Sequence, residues 1–240
     1  MSKLIDFIKY VKANREELLQ ANDGDTCEQL FRDKLSIFFR DMTESSDQEI
    51  VTFKQDIKET ILDKKATNVV DNTLYSETNN DTYKNFFVYQ PYGTQNYPDF
   101  LVFTEFKVFS IEIKYSARKA VRPMWNSNLP KMDGIYFFGC YELQELTFFR
   151  GEDVLPSNER ESLLRIWDDL EQAKEQWENE FKAFIETEEF NNSYGFKPYI
   201  RKAYEQTKTI NENAVTNFFE NADRENLENK VAEFVENLDR

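Results

Sequence analysis

Two apolar runs separated by four residues, Phe100-Leu101-Val102-Phe103 and Val108-Phe109-Ser110-Ile111-Glu112-Ile113, constrain the fold of this chain more than any other feature of its sequence. Short runs rich in aromatic and β-branched residues read as strands, and so brief a connection reads as a hairpin. With a two-residue loop at Glu105-Phe106, paired residue numbers sum to 211 and Asp99 falls opposite Glu112. Side-chain alternation then puts Asp99, Glu112 and Lys114 on one face, and Phe100, Val102, Ile111 and Ile113 on the other, toward a core. An odd-numbered loop would instead bring Asp99 opposite Ile111 or Ile113, so the arrangement depends on the register.

Further runs at 86–89, 135–138 and 146–149 also read as strands. Upstream, 25–38 reads as a helix with a start signal, Asp25-Thr26-Cys27-Glu28, and an apolar stripe of Phe31, Leu35 and Phe38. Residues 60–82 are polar and rich in Asn, which predicts a surface loop. In the last third, Leu163, Trp167, Leu170, Lys174, Trp177, Phe181 and Phe184 recur at steps of four and three, which predicts one long helix over 159–189. Its aromatic stripe is expected to be buried, against the sheet or across a subunit interface. Shorter helical patterns cover 197–206, 213–221 and 225–238. The expected architecture is α/β: a mixed β-sheet core flanked by helices over 1–152, then a mostly helical region over 157–240.

Composition removes whole classes of chemistry. The 240 residues include no His, so nucleophile systems that rely on it, His general bases and His-ligated zinc or haem are excluded. Two Cys, Cys27 and Cys140, cannot build a four-thiolate site, and the six Gly form no phosphate-binding loop of either common type. No apolar run approaches the roughly 18 residues of a membrane span, and the first residues carry charge where an export signal needs an apolar stretch. A cytoplasmic protein with free thiols and no membrane contact is expected.

Paired carboxylates beside a lysine suit phosphodiester hydrolysis. Opposed Cβ atoms are about 4.5–5.5 Å apart, so Asp99 and Glu112 could share one Mg²⁺, an ion that takes hard oxygen ligands and retains water. Pro98-Asp99, a twelve-residue gap and Glu112-Ile113-Lys114 together resemble the PD-(D/E)xK nuclease superfamily, and within it the type II restriction endonucleases. Gln90-Pro91-Tyr92-Gly93-Thr94-Gln95, which runs into the motif, strengthens the likeness. The resemblance covers roughly 25–151 and implies a restriction-endonuclease-like core. It makes Asp99, Glu112 and Lys114 catalytic, with Asp99, Glu112 and the Ile113 carbonyl as metal ligands and Lys114 as base or water-orienting cation. A further glutamate from the preceding helix would be Glu28. Glu28 also fits a capping box with Asp25, and both roles stand at this point.

The chain carries 45 acidic against 30 basic residues, net −15, yet Lys107, Lys114, Arg118, Lys119, Arg122 and Lys131 face a single acid between 107 and 131. A cationic strip beside a metal site suits a phosphate backbone. Arg118, Lys119 and Arg122 are the expected phosphate contacts, and Gln95, Asn96, Asn126 and Asn128, with the Asn191-Asn192 loop, the candidate base readers. A second basic segment, Lys197, Arg201, Lys202 and Lys208, is interleaved with Tyr199 and Tyr204. The expected partner is double-stranded DNA, cut at specific sites by a homodimer, since two-fold enzymes match two-fold sites. Two alternatives are a structure-specific or repair nuclease of the same superfamily and, from the acidity, a non-enzymatic DNA mimic.

Overall fold

A computed structural model of the chain describes residues 2–63, 68–125, 129–187 and 215–240. Its helices are α1 (Lys3–Ala13), α2 (Arg15–Leu18), α3 (Gly24–Leu35), α4 (Gln48–Asp56), α5 (Lys58–Leu62), α6 (Thr73–Thr78), α7 (Gly151–Val154), α8 (Ser157–Ile185) and α9 (Asn221–Leu238). The strands are β1 (Arg40–Asp41), β2 (Val70–Asp71), β3 (Phe86–Tyr89), β4 (Phe100–Phe103), β5 (Lys107–Ser116), β6 (Ile135–Cys140) and β7 (Glu145–Arg150). They form one mixed sheet in the order β1-β3-β4-β5-β6-β7, with β2 added against the start of β5. Pairs β1–β3 and β5–β6 are parallel, whereas β3–β4, β4–β5 and β6–β7 are antiparallel.

Helices cover both faces of the sheet, which is why its central strands are continuous apolar runs rather than alternating ones. On one face, Phe87, Phe100, Val102, Ile111, Ile113, Phe137 and Phe148 meet the apolar sides of α1 and α3 in a single core. α1 presents Leu4, Phe7, Ile8 and Val11 and is started by the Ser2 hydroxyl, which accepts from the Leu4 amide. The opposite face carries two separate clusters: Phe86, Leu101, Phe103 and Val108 under α4 and α5, and Tyr136, Phe138 and Phe149 with Trp125 and Phe218. Of β4 and β5, it is β5 that puts polar residues on this face: Ser110, Glu112 and Lys114.

α9 seals the β7 edge, which would otherwise be open to pairing. Val231 and Val235 join the first core, while Leu227 joins the cluster on the other face. Buried Glu228 anchors this helix: it accepts from both terminal nitrogens of Arg15, at 2.7 and 2.8 Å, and from the Thr147 hydroxyl at 3.1 Å. One desolvated carboxylate thereby ties α2 and β7 to α9, and Arg224, one turn earlier on α9, reaches it at 3.4 Å.

Several sequence expectations change. The Asn-rich stretch is no surface loop: it holds α5, β2, α6 and a 3₁₀ turn at Asp81–Tyr83. Its asparagines take the place of backbone partners, because the Asn72 amide donates to the Tyr83 and Thr104 carbonyls at 2.7 Å each, and buried Asn68 donates to carbonyls at the C-terminal end of α5. α8 is helical as expected, but its stripe is not buried in the fold. Only Arg160 and Leu164 are buried; Leu163, Ile166, Leu170, Trp177 and Phe184 are exposed, Trp177 by 46%. Residues 215–220 form a turn rather than the end of a helix. The 197–206 pattern, the second basic segment and the Asn191-Asn192 loop lie outside the described residues.

Candidate active site

The β4–β5 register places the site. Phe100 pairs with Ile111, Leu101 with Ser110, Val102 with Phe109 and Phe103 with Val108, and the turn closes where the Thr104 amide donates to the Lys107 carbonyl at 2.9 Å. One step beyond Phe100, Asp99 stands opposite Glu112. Its Oδ2 accepts the Ile113 backbone N–H at 2.6 Å, so the carboxylate replaces a carbonyl at the end of the ladder. Lys114 lies two residues beyond Glu112 on the same face, and its Nζ donates to Glu112 Oε1 at 2.8 Å. The other oxygen, Oε2, is buried without a protein partner among the described residues. The Lys114 ammonium also lies 6.0 Å from the Trp125 ring centre, at the edge of cation–π range.

Glu28 reaches the site from α3, in the opposite layer. Asp23, not Asp25, caps this helix, its Oδ1 accepting from the Thr26 amide at 2.8 Å, so the capping box proposed for Asp25 and Glu28 does not form. Glu28 Oε2 instead accepts from the Tyr89 hydroxyl at 2.9 Å and the Gln90 side-chain amide at 3.3 Å. Gln90 holds a left-handed backbone with φ 45°, an uncommon conformation for a residue with a side chain. Tyr89 and Gln90 were not picked out by residue spacing; the only signal was Gln90 heading the segment that runs into the motif.

The crowding of acidic groups here disfavours ionisation of Asp99 and of Glu28. Asp99 is held well above the usual carboxylate range, first by burial and then by the charges of Glu112 and Glu28; the Ile113 amide and Lys114 only partly offset this. Burial also raises Glu28, against the pull of its Tyr89 and Gln90 hydrogen bonds. For Lys114, burial favours the neutral amine, but Glu112, Asp99 and Glu28 outweigh it and raise its pKa. Lys114 is therefore a cation at neutral pH.

A cleft of 270 Å³ opens beside these groups, lined by Gly24, Glu28, Ile113, Lys114, Arg122 and Met124 among others. Of the basic strip, half-buried Arg122 faces this cleft, while Arg118 and Lys119 are exposed just past the end of β5. Two other members serve the fold. Lys107 pairs with Asp71 at the opposite end of β5, and buried Lys131 donates to the Leu62 carbonyl. Gln95 is exposed in the turn before Tyr97; Asn126 and Asn128 lie outside the described residues.

Among the described residues, no three acidic or thiol side chains are gathered closely enough to hold an ion alone. The donor set nevertheless suits a hard divalent cation that keeps several waters: Asp99, the unpartnered Glu112 Oε2 and the Ile113 carbonyl, with Glu28 at the margin. No protein-family model, curated protein or solved structure matches the chain.

Proposed function

We propose that the chain is a Mg²⁺-dependent type II restriction endonuclease, hydrolysing phosphodiester bonds at specific sites of duplex DNA. The observation that carries this reading is the polarised Glu112 carboxylate. One oxygen is fixed by the Lys114 ammonium and the other is buried and, among the described residues, unpaired, with Asp99 opposite. A buried carboxylate oxygen left unsatisfied costs free energy, so a cationic partner there is favoured.

Bound at Asp99, Glu112 and the Ile113 carbonyl, Mg²⁺ would supply charge to polarise the phosphoryl oxygen and steady the leaving oxygen. Lys114, hydrogen-bonded to Glu112, is placed to orient or deprotonate the attacking water and to complement phosphate charge. Glu28, held by Tyr89 and Gln90, keeps a further acceptor at the cleft for that water shell. Arg118, Lys119 and Arg122 supply positive charge along the path of a phosphate backbone, beside a site that would otherwise repel it.

The reading extends to a homodimer acting on two-fold sites, for which the exposed Leu163, Ile166, Leu170 and Trp177 of α8 offer apolar surface. Incubation with long duplex DNA, with and without Mg²⁺, tests the function. Discrete fragments only with the metal support it; a smear indicates a nuclease without site preference; intact DNA in both arms contradicts it.

A further inference from the structure

Behind Glu112, on the side away from Lys114, lies a group of hydroxyls that the proposed chemistry does not use. Ser110 is the same-face neighbour of Glu112 on β5, and Tyr97 precedes Pro98-Asp99. Among the described residues, the Tyr97 hydroxyl, Ser110 Oγ and Glu112 Oε2 are each buried without a hydrogen-bond partner of good geometry. The Tyr97 hydroxyl sits close to those of Ser110 and Tyr136 and within the field of Glu112. Tyr136 already accepts from the Lys131 amide at 2.6 Å.

The position of the Tyr97 hydroxyl depends on Gly134. A Cβ at residue 134 would stand 2.4 Å from the Tyr97 oxygen, with the Tyr136 ring edge at 3.0 Å. The glycine therefore makes the slot into which the phenol fits. Two hydroxyl donors and one carboxylate acceptor, all buried, match one internal water that accepts from the hydroxyls and donates to the carboxylate. Glu112 Oε2 has two lone pairs, so one can face this water while the other faces a cation.

We propose that Tyr97 is a positioning residue: seated in the Gly134 slot, its hydroxyl acts with Ser110 through a shared internal water to fix the Glu112 carboxylate from behind. This rests on the reading of Asp99 and Glu112 as a cation site. Partners that orient a metal-binding carboxylate typically matter by about 10–100-fold in metal affinity. Tyr97→Phe removes one oxygen and leaves the packing.

The test is calorimetric titration of the full-length chain with Mn²⁺, without DNA, alongside thermal unfolding of each variant. Tyr97→Phe should weaken Mn²⁺ binding about tenfold or more at little changed Tm. Gly134→Ala should weaken it similarly by displacing the hydroxyl, and should add little in a Tyr97→Phe background, where the 2.4 Å contact no longer exists. Wild-type affinity in Tyr97→Phe, or a Gly134→Ala effect undiminished in the double variant, overturns the inference. If wild type binds Mn²⁺ and Asp99→Asn does not, such a result removes Tyr97 alone. If wild type itself shows no binding, the cation site and this inference fall together.

Discussion

Asp99 faces Glu112 across β4 and β5 and accepts the Ile113 amide at 2.6 Å, so an acidic side chain both ends a ladder and borders a second carboxylate. The sheet backbone, rather than a mobile loop, holds the two groups apart at a fixed spacing. Their mutual repulsion is built into the fold, and on the proposed reading a divalent cation would relieve it.

Asp99→Asn should stabilise the cation-free protein at neutral pH. The folded pKa of Asp99 lies above its unfolded value, so between the two the native state binds more protons and wild-type stability falls as pH rises. The gain should therefore be larger at pH 7–8 than near pH 4, at roughly 2–4 °C in Tm per kcal/mol. Mn²⁺ should raise the wild-type Tm, increasingly with pH as Asp99 must lose its proton, and leave the variant unchanged. Thermal unfolding over pH checks both signs; a destabilised variant at neutral pH would count against the crowded site.

Arg118→Ala and Lys119→Ala should weaken DNA binding evenly across sequences and each lower the slope of log affinity against log salt by about 1. Binding isotherms at several salt concentrations measure this. Lys107→Ala, at the far end of β5 and paired with Asp71, should leave the slope alone.

Glu228→Ala should be among the most damaging single changes outside the site. It leaves Arg15 and Arg224, whose side chains are 19% and 15% exposed, without their shared carboxylate. Removing one partner of such a buried network costs about 3–5 kcal/mol, which denaturant unfolding would resolve.

Sedimentation addresses the α8 surface. Two associating copies should give twice the 28.7 kDa chain mass, and Leu170→Glu with Trp177→Glu should return a folded monomer. A wild-type monomer at all concentrations, alone and on DNA, would remove the homodimer and leave the chemistry untouched.

How far the fold was legible in the sequence follows from the kind of signal each element carries. The strands at 86–89 and 100–103, and the 108–113 centre of β5, announce themselves because their runs are short, aromatic and bounded by polar turns, and a two-residue loop leaves one register. The Asp99, Glu112 and Lys114 face follows from that register alone. α1 also carries a readable pattern, with Leu4, Phe7, Ile8 and Val11 on one side and charged residues between them. The 60–82 segment misled because side-chain amides of Asn68 and Asn72 do in the interior what they do in loops, bonding to carbonyls. Glu28 was found on a helix face, but its holders Tyr89 and Gln90 come from a distant strand end, and no spacing rule joins them. In α8 the period fixed the helix, while burial depends on what lies beside it, which period cannot tell.

The most direct measurement is cleavage of duplex DNA with Mg²⁺ by Asp99→Asn, Glu112→Gln and Lys114→Ala, with DNA binding followed in Ca²⁺. All three should lose cleavage. The two acidic variants should bind DNA as well as wild type or better, since each removes a negative charge facing a polyanion, and Lys114→Ala somewhat more weakly. Cleavage retained in Asp99→Asn, or binding lost in both acidic variants, would contradict the assignment of this pair as the catalytic metal site.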